Sequence, residues 1–394
     1  MNEWPVVRLD EIAAAEKSAV SKPYGSAIVR DDYVRDGVPV VRGVNLADWR
    51  FRDEDFVFIS EDLADTMPGS RLQPGDLVFT HRGSVGQVSM IPRGPRFPRY
   101  AVSTSQVKAR LDPARALAEF YFYWFRSPVG RASILQGVST VGVPGLARPV
   151  ETIKGLRVPL PPLSEQRRIA SVLGVLDDLI EVEERAAAQA DELWRVVLAA
   201  ARHDRESVPL SSLASFVNGK NFTKGGGTHG LPVIRTPEVR NGPTSSTVLN
   251  DVRASAENLA DPGDILFVWS GSLLASRWRW AQGLVNQHIF KVIPNMGVPD
   301  WLVLWAIEEL MGDFLSLAAD KATTMGHIKR ADLDRVVNVP ARSAWEDLDA
   351  MIRPYWDDAL SAQMHASDVA AARDELLPLL MSGRVRVSED LAVA

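Results

Sequence analysis

Hydrophobic positions along this 394-residue chain follow two patterns that alternate twice. Residues 1–162 and 207–342 carry short runs rich in Val, Ile and Phe, broken by Gly, Pro and Asp, as strands and turns are. The first stretch predicts strands at Val38–Val41, 55–59, 77–79, 85–91 and 102–107. A helix over 116–126 follows, with an aromatic face of Phe120, Tyr121, Trp124 and Phe125. The second stretch repeats this plan and closes on a matching helix over 301–317.

Segments 163–206 and 343–394 space their apolar residues three and four apart, the signature of long helices. The first stripe reads Ile169, Val172, Leu176, Leu179, Glu183, Ala186, Ala190, Leu193, Val197, Ala200. The second reads Trp345, Leu348, Ile352, Tyr355, Ala359, Ala362, Ala366, Val369, Arg373, Leu376, Leu380. Both are small at the centre and bulky near the ends, so two backbones can approach closely. Seams of this kind bury themselves against a partner helix. The simplest partner is the other copy, antiparallel, because the chain crosses the second globular stretch before returning. Two separate amphipathic helices, each on its own domain, are the alternative. Ser164 offers an N-cap to the first helix; Pro354 and Pro378 should bend the second or end it early.

The globular stretches are copies. Val38-Pro39-Val40-Val41-Arg42 returns as Leu231-Pro232-Val233-Ile234-Arg235, and Pro74-Gly75-Asp76-Leu77-Val78-Phe79 as Pro262-Gly263-Asp264-Ile265-Leu266-Phe267. Gly83-Ser84 returns in step as Gly271-Ser272. The spacing is far longer than the roughly 20–50 residues of a solenoid repeat. The expected architecture is mixed α/β: two similar α/β domains, 1–162 and 207–342, separated by a pair of long antiparallel coiled-coil helices, 163–206 and 343–394, with a pseudo-two-fold internal repeat.

The net charge of −6 speaks against a nucleic-acid binder until its distribution is examined. Lys and Arg against Asp and Glu number 21 and 18 in residues 1–160 and 13 and 12 in 207–342. The helical segments hold the acid, 6 against 10 in 163–206 and 4 against 10 in 343–394. The absence of cysteine excludes disulfides and thiolate metal sites and fits a reducing cytoplasm. The N-terminal residues lack a signal-peptide pattern, and no apolar stretch reaches the length of a membrane span.

Catalytic patterns are missing. There is no phosphate-binding loop, the six histidines are scattered, and no nucleophile, acid–base pair or metal set converges in the sequence. What remains is recognition chemistry: Gly-Ser loops after strands, and basic residues near loops. The candidates in the first domain are Lys22, Arg42, Arg71, Arg82, Ser84, Lys108, Thr140 and Arg148. Those in the second are Lys220, Lys224, Arg235, Ser272, Arg277, Arg279, Lys321, Thr324, Lys329 and Arg330. Arginine reads guanine bidentately and both cations grip phosphate.

The sharpest local motif is Pro159-Leu160-Pro161-Pro162-Leu163-Ser164-Glu165-Gln166-Arg167-Arg168-Ile169. With the duplication, the seams and the tail Glu375-Leu376-Leu377-Pro378-Leu379-Leu380-Met381-Ser382-Gly383, it resembles the specificity subunits of Type I restriction-modification systems over essentially the whole length. The second junction, Val337-Asn338-Val339-Pro340-Ala341-Arg342, departs from that motif. The resemblance implies two target recognition domains, each reading half of a split site in double-stranded DNA. It implies helices that set the spacer and dock the modification (methyltransferase) subunits, two in number, with restriction subunits joining the complex. S-adenosylmethionine, ATP and magnesium would sit on those partners, and this chain would carry no cofactor and break no bond. An assembly scaffold without DNA readout, or a specificity factor for another phage-defence methyltransferase, are the alternatives.

Overall fold

A computed structural model describes residues 4–388 except 26, 47–49, 140–141 and 321–325. Two compact units emerge, residues 1–177 with 371–394, and residues 178–370; each contains a piece of both long helices.

In the first unit, strands Val20–Ser21, Gln106–Ala109, Leu77–Thr80 and Val88–Met90 form an antiparallel sheet in that order. A five-stranded sheet runs Tyr33–Val34, Val57–Ile59, Val38–Val41, Tyr100–Val102, Arg71–Leu72, with one parallel pairing, Val40 and Val41 beside Ala101 and Val102. Val6–Arg8 pairs with Arg157–Pro159. The expected strand over 102–107 is therefore two strands of different sheets, separated by a turn in which Gln106 N–H donates to Ser103 O. The aromatic helix, Ala118–Arg126, buries six consecutive side chains, and Phe125 meets Phe79 edge-on at 4.9 Å.

The second unit repeats this connectivity. Ala214–Asn218, Ile289–Pro294, Ile265–Val268 and Leu274–Arg277 make the first sheet, while Leu249–Asn250, Leu231–Ile234, Gly283–Val285 and Leu259–Ala260 make the second. Val233 and Ile234 lie parallel to Leu284 and Val285, matching the parallel step of the first unit. Arg205–Pro209 pairs with Val336–Pro340. The helix expected over 301–317 is two, Asp300–Glu309 and Met311–Asp320, as Ala118–Arg126 and Pro128–Leu135 are in the first unit.

Register explains the duplicated words. Gly75 and Gly263 hold φ of 85° and 97°, a left-handed conformation that favours glycine. The aspartate that follows closes the turn: Gln73 N–H donates to Asp76 Oδ2 at 2.9 Å, and Asp261 N–H to Asp264 Oδ2 at 2.7 Å. Opposite these strands, Lys108 and Lys291 occupy matching places, facing Val78 and Leu266. Both are buried. Lys108 Nζ donates to Arg71 O at 2.8 Å and Lys291 Nζ to Leu259 O at 2.7 Å, each tying its sheet to a strand of the neighbouring sheet.

The first long helix is Leu163–Ala200 and ends short of residue 206, because Arg205 already belongs to the ladder with Val336–Pro340. It begins at Leu163, so Ser164 lies inside the helix and caps nothing. The work falls to Gln166, which is fully buried: its Nε2 donates to Pro161 O and Arg115 O, and its Oε1 accepts from Leu117 N–H. That is the physical content of the proline-to-helix motif. At the second junction Trp345 Nε1 donates to Pro340 O instead.

The second long helix, Trp345–Met381, runs unbroken through Pro354 and Pro378. Pro354 and the residue four before it, Ala350, are exposed, so the carbonyl that the proline leaves unpaired can be hydrated. In the second unit Trp194 meets Trp356 at 5.5 Å, and Glu183 faces His365 at 3.9 Å, so the helices run antiparallel there. In the first unit Asp177 takes Arg373 Nη1 at 2.8 Å and the Tyr123 hydroxyl at 2.6 Å. Burial raises the tyrosine's pKa and lowers that of neighbouring Arg126 to about 10.

The seam on the second helix follows the expected stripe: Leu348 and Ile352 are buried and Tyr355, Val369 and Leu376 half-buried. On the first helix it is displaced by one residue. Ile169 is buried and Val172 and Leu176 half-buried, but Leu179 and Leu193 are 41% and 46% exposed. Leu173, Ile180, Ala187 and Trp194 are buried instead. Val172, Leu179, Ala186 and Leu193 each have an apolar neighbour one step on, and the set containing the bulkiest side chain, Trp194, wins the interior.

Candidate nucleic-acid interface

In the first unit the strand Leu77–Thr80 ends in the loop 81–87, and main-chain bonds fasten this loop to two others. His81 N–H donates to Ser105 O at 3.0 Å, Leu146 N–H to His81 O at 2.9 Å, and Gly83 N–H to Pro144 O at 2.9 Å. Gly83 has a φ of 86°. The loops 81–87 and 103–105 border a cleft of 520 Å³ lined by Arg42, Thr80, Arg82, Ser84, Gln87 and Gln106, among others. A second cleft of 530 Å³ shares Arg82 and adds Lys22 and His81. Burial lowers the pKa of both Lys22 and His81; His81 Nε2 lies 3.0 Å from Thr104 O. Arg42 Nη2 donates to Asp55 O at 3.0 Å, while its buried Nε has no partner among the described residues.

The second unit makes the same three bonds with different side chains. Trp269 N–H donates to His288 O at 3.1 Å, Ile328 N–H to Trp269 O at 3.1 Å, and Gly271 N–H to Gly326 O at 2.9 Å. Gly271 has a φ of 79°. Trp269 thus stands where the first unit has His81, with His288 and His327 rings 5.7 and 6.5 Å from its own. Its indole N–H donates to Asn218 Oδ1 at 2.8 Å. One unit offers arginine, hydroxyl and amide groups at its loop ends; the other offers an indole flanked by imidazoles.

Of the candidates read from the sequence, Arg42, Arg82 and Ser84 meet in one cleft. Arg148 is exposed at the start of the helix Pro149–Lys154, and Ser272, Lys220, Lys224, Lys329 and Arg330 are exposed on the second unit. Arg330 borders a separate cleft with Glu257 and Asp334. Arg71 is exposed, with its carbonyl occupied by Lys108. Arg235 is spent on a two-point pair with Glu238 at 2.7 and 3.1 Å.

Lys108 and Arg277 are corrections: both are buried and serve the fold. Arg277 Nη1 donates to Trp356 O at 2.7 Å, its guanidinium lies 3.7 Å from the centre of the Trp356 ring, and burial lowers its pKa to about 10. Neither sequence pattern distinguishes such interior cations from surface ones. Thr140, Lys321 and Thr324 lie outside the described residues. Sequence reasoning passed over Thr80, Gln87 and Gln106, whose signal is the register: they match Val268, Leu274 and Ile289 of the second unit. Among the described residues no group of His, Asp or Glu is arranged to hold a metal, and no helix is long and apolar enough to cross a membrane.

A framework repeated twice with its loops bound by main chain, each copy ending in different polar or aromatic groups, defines a duplicated recognition module. The family model described as the Type I restriction modification DNA specificity domain matches residues 1–191, just under half of the chain. It is similar to the Type I restriction enzyme MjaIX specificity subunit of Methanocaldococcus jannaschii, 22% identical over 352 residues, covering 80% of this chain and 78% of that relative. The MjaVIII specificity subunit of the same organism is 22% identical over 198 residues, half of this chain and 44% of the relative. The fold is similar to the crystal structure of a Type I restriction-modification S subunit from M. genitalium, with a TM-score of 0.59 and 14% identity over 96% of each chain.

Proposed function

We propose that this chain is the non-catalytic DNA-specificity subunit of a Type I restriction-modification complex, each unit reading one half of a bipartite site. The observation that carries this reading is the triple main-chain fastening shared by the two loop sets, on which the exposed side chains differ. A fixed backbone with interchangeable tips suits two half-sites of different sequence. Backbone phosphates would be held by exposed cations such as Arg82, Arg148, Lys220 and Lys224, which position the protein without specifying sequence.

Modification subunits dock on the long helices. In the second unit the first helix turns outward a second three-four stripe of Leu179, Val182, Ala186, Leu193, Val196 and Ala200, all exposed. An apolar line of this length, left unburied, suits a partner helix. S-adenosylmethionine, ATP and magnesium act on those partners. The test is reconstitution with the modification subunits and mapping of the methylated motif. A split motif is the expected outcome; methylation without sequence preference, or assembly without DNA binding as a scaffold would show, overturns the proposal.

A further inference from the structure

We propose that Gln87 selects a guanine of the first half-site by acting as a hydrogen-bond donor. This rests on the DNA-reading role proposed above and assigns a residue and a base to it. Four side chains behind the cleft form a directed chain. Ser103 Oγ donates to Gln106 Oε1, Gln106 Nε2 donates to Thr80 Oγ1 at 3.4 Å, and Thr80 Oγ1 donates to Gln87 Oε1 at 3.1 Å. A hydroxyl has one proton to give. With the Gln106 amide turned this way Thr80 receives its N–H and gives its own proton to Gln87, so the Gln87 amide presents oxygen inward.

Gly43 closes the same side. A Cβ there would stand 3.5 Å from Gln87 Oε1 and 3.7 Å from Gln106 Nε2, so the backbone lies directly over the two amides. Gln87 is half-buried and lines the cleft, and its Nε2 has no protein acceptor among the described residues. Its two N–H groups are what this side chain offers to a ligand.

The base follows from the edge chemistry. A free glutamine amide reads adenine through oxygen to N6–H and nitrogen to N7. Here the oxygen is engaged behind the cleft, and a donor-only group matches the paired acceptors O6 and N7 of guanine. Val268, Leu274 and Ile289 fill the matching places of the second unit, so the effect is confined to one half-site.

The experiment uses the complex reconstituted with its modification subunits. Duplexes carry 7-deazaguanine, which lacks the N7 acceptor, at each guanine of the first half-site in turn. With the wild-type chain one such substitution slows methylation about tenfold. With Gln87→Leu that guanine is already poorly read, and the deaza base costs nothing more. Thr80→Val, which frees the amide to turn, admits adenine at this position. In both variants the second half-site is read as in the wild type, which checks that the protein is folded.

A deaza penalty as large in Gln87→Leu as in wild type at every guanine would overturn the assignment. So would a first half-site without guanine, or a Thr80→Val motif unchanged from wild type. If the wild-type complex methylates no defined motif, it is the DNA-reading role that fails, and with it the basis for assigning Gln87.

Discussion

Thr80, Gln87 and Gln106 in the first unit stand where the second unit has Val268, Leu274 and Ile289. The parallel step and the loop fastenings are the same in both, yet the matching side chains form a hydrogen-bonded set in one unit and are apolar in the other. The helix seams divide in the same way. The first unit closes its pair with Asp177, Arg373 and Tyr123, the second with Trp194 and Trp356. What is common to the copies is carried by main chain and by interior groups that bind main chain, such as Lys108 and Lys291. What differs is carried by side chains, at the loop tips and in the helix seams.

The largest test of this contrast lies in the seams. Trp356→Ala should cost about 3–5 kcal/mol through lost packing, as buried Trp→Ala changes do. Arg373→Ala should cost a similar amount for another reason, the stranding of a buried Asp177. The two separate on repair: in urea unfolding, Asp177→Leu with Arg373→Leu recovers much of the loss, because an apolar pair can replace a buried ionic one. A double variant as unstable as Arg373→Ala would break the distinction.

Next come the shared lysines. Lys108→Met and Lys291→Met should each lower stability by about 1–3 kcal/mol, the cost of leaving a buried carbonyl unpaired, and leave the methylated motif unchanged. An altered first half-site in Lys108→Met would return that residue to the recognition surface. Smaller still is the effect of the outward stripe on folding. Leu193→Asp and Val196→Asp should shift stability by no more than about 0.5 kcal/mol while abolishing co-purification with the modification subunits. Normal assembly would remove the stripe from the docking role.

The smallest effect is one of pH. Burial lowers the pKa of His81, so below the ordinary histidine value of about 6.5 the unfolded chain takes up a proton before the folded one. Stability of the first unit is therefore complete above that pH and falls as the solution is acidified toward the lowered folded value. The second unit, with Trp269 in that place, lacks this contribution. His81→Gln should flatten the slope of urea midpoint against pH between about 7 and 5.5; an unchanged slope would locate the acid sensitivity elsewhere.

Much of this was legible in the residue pattern: the duplication, the α/β character of each copy and most of the stripe of the second long helix, where only Tyr355 yields the interior to its neighbour Trp356. The stripe of the first helix was misread by one position, since Val172 and Leu173, Leu179 and Ile180, and Leu193 and Trp194 are equally apolar neighbours. Periodicity cannot choose between them; volume does. The recognition surface was legible only where a cation is exposed. Lys108 and Arg277 look like any other base near a loop, because burial is a property of strand register and not of local sequence. Gln87 escaped for the converse reason, an uncharged residue whose importance comes from Thr80, 7 residues away, which is itself bonded to Gln106.

The three main-chain fastenings of each loop set have an evolutionary consequence. Since amides and carbonyls are supplied by every residue at those positions, new loop tips can arise by point mutation, or be copied from one half of the gene into the other, without dismantling the module that presents them. Such a protein can change its target while inheriting its fold intact.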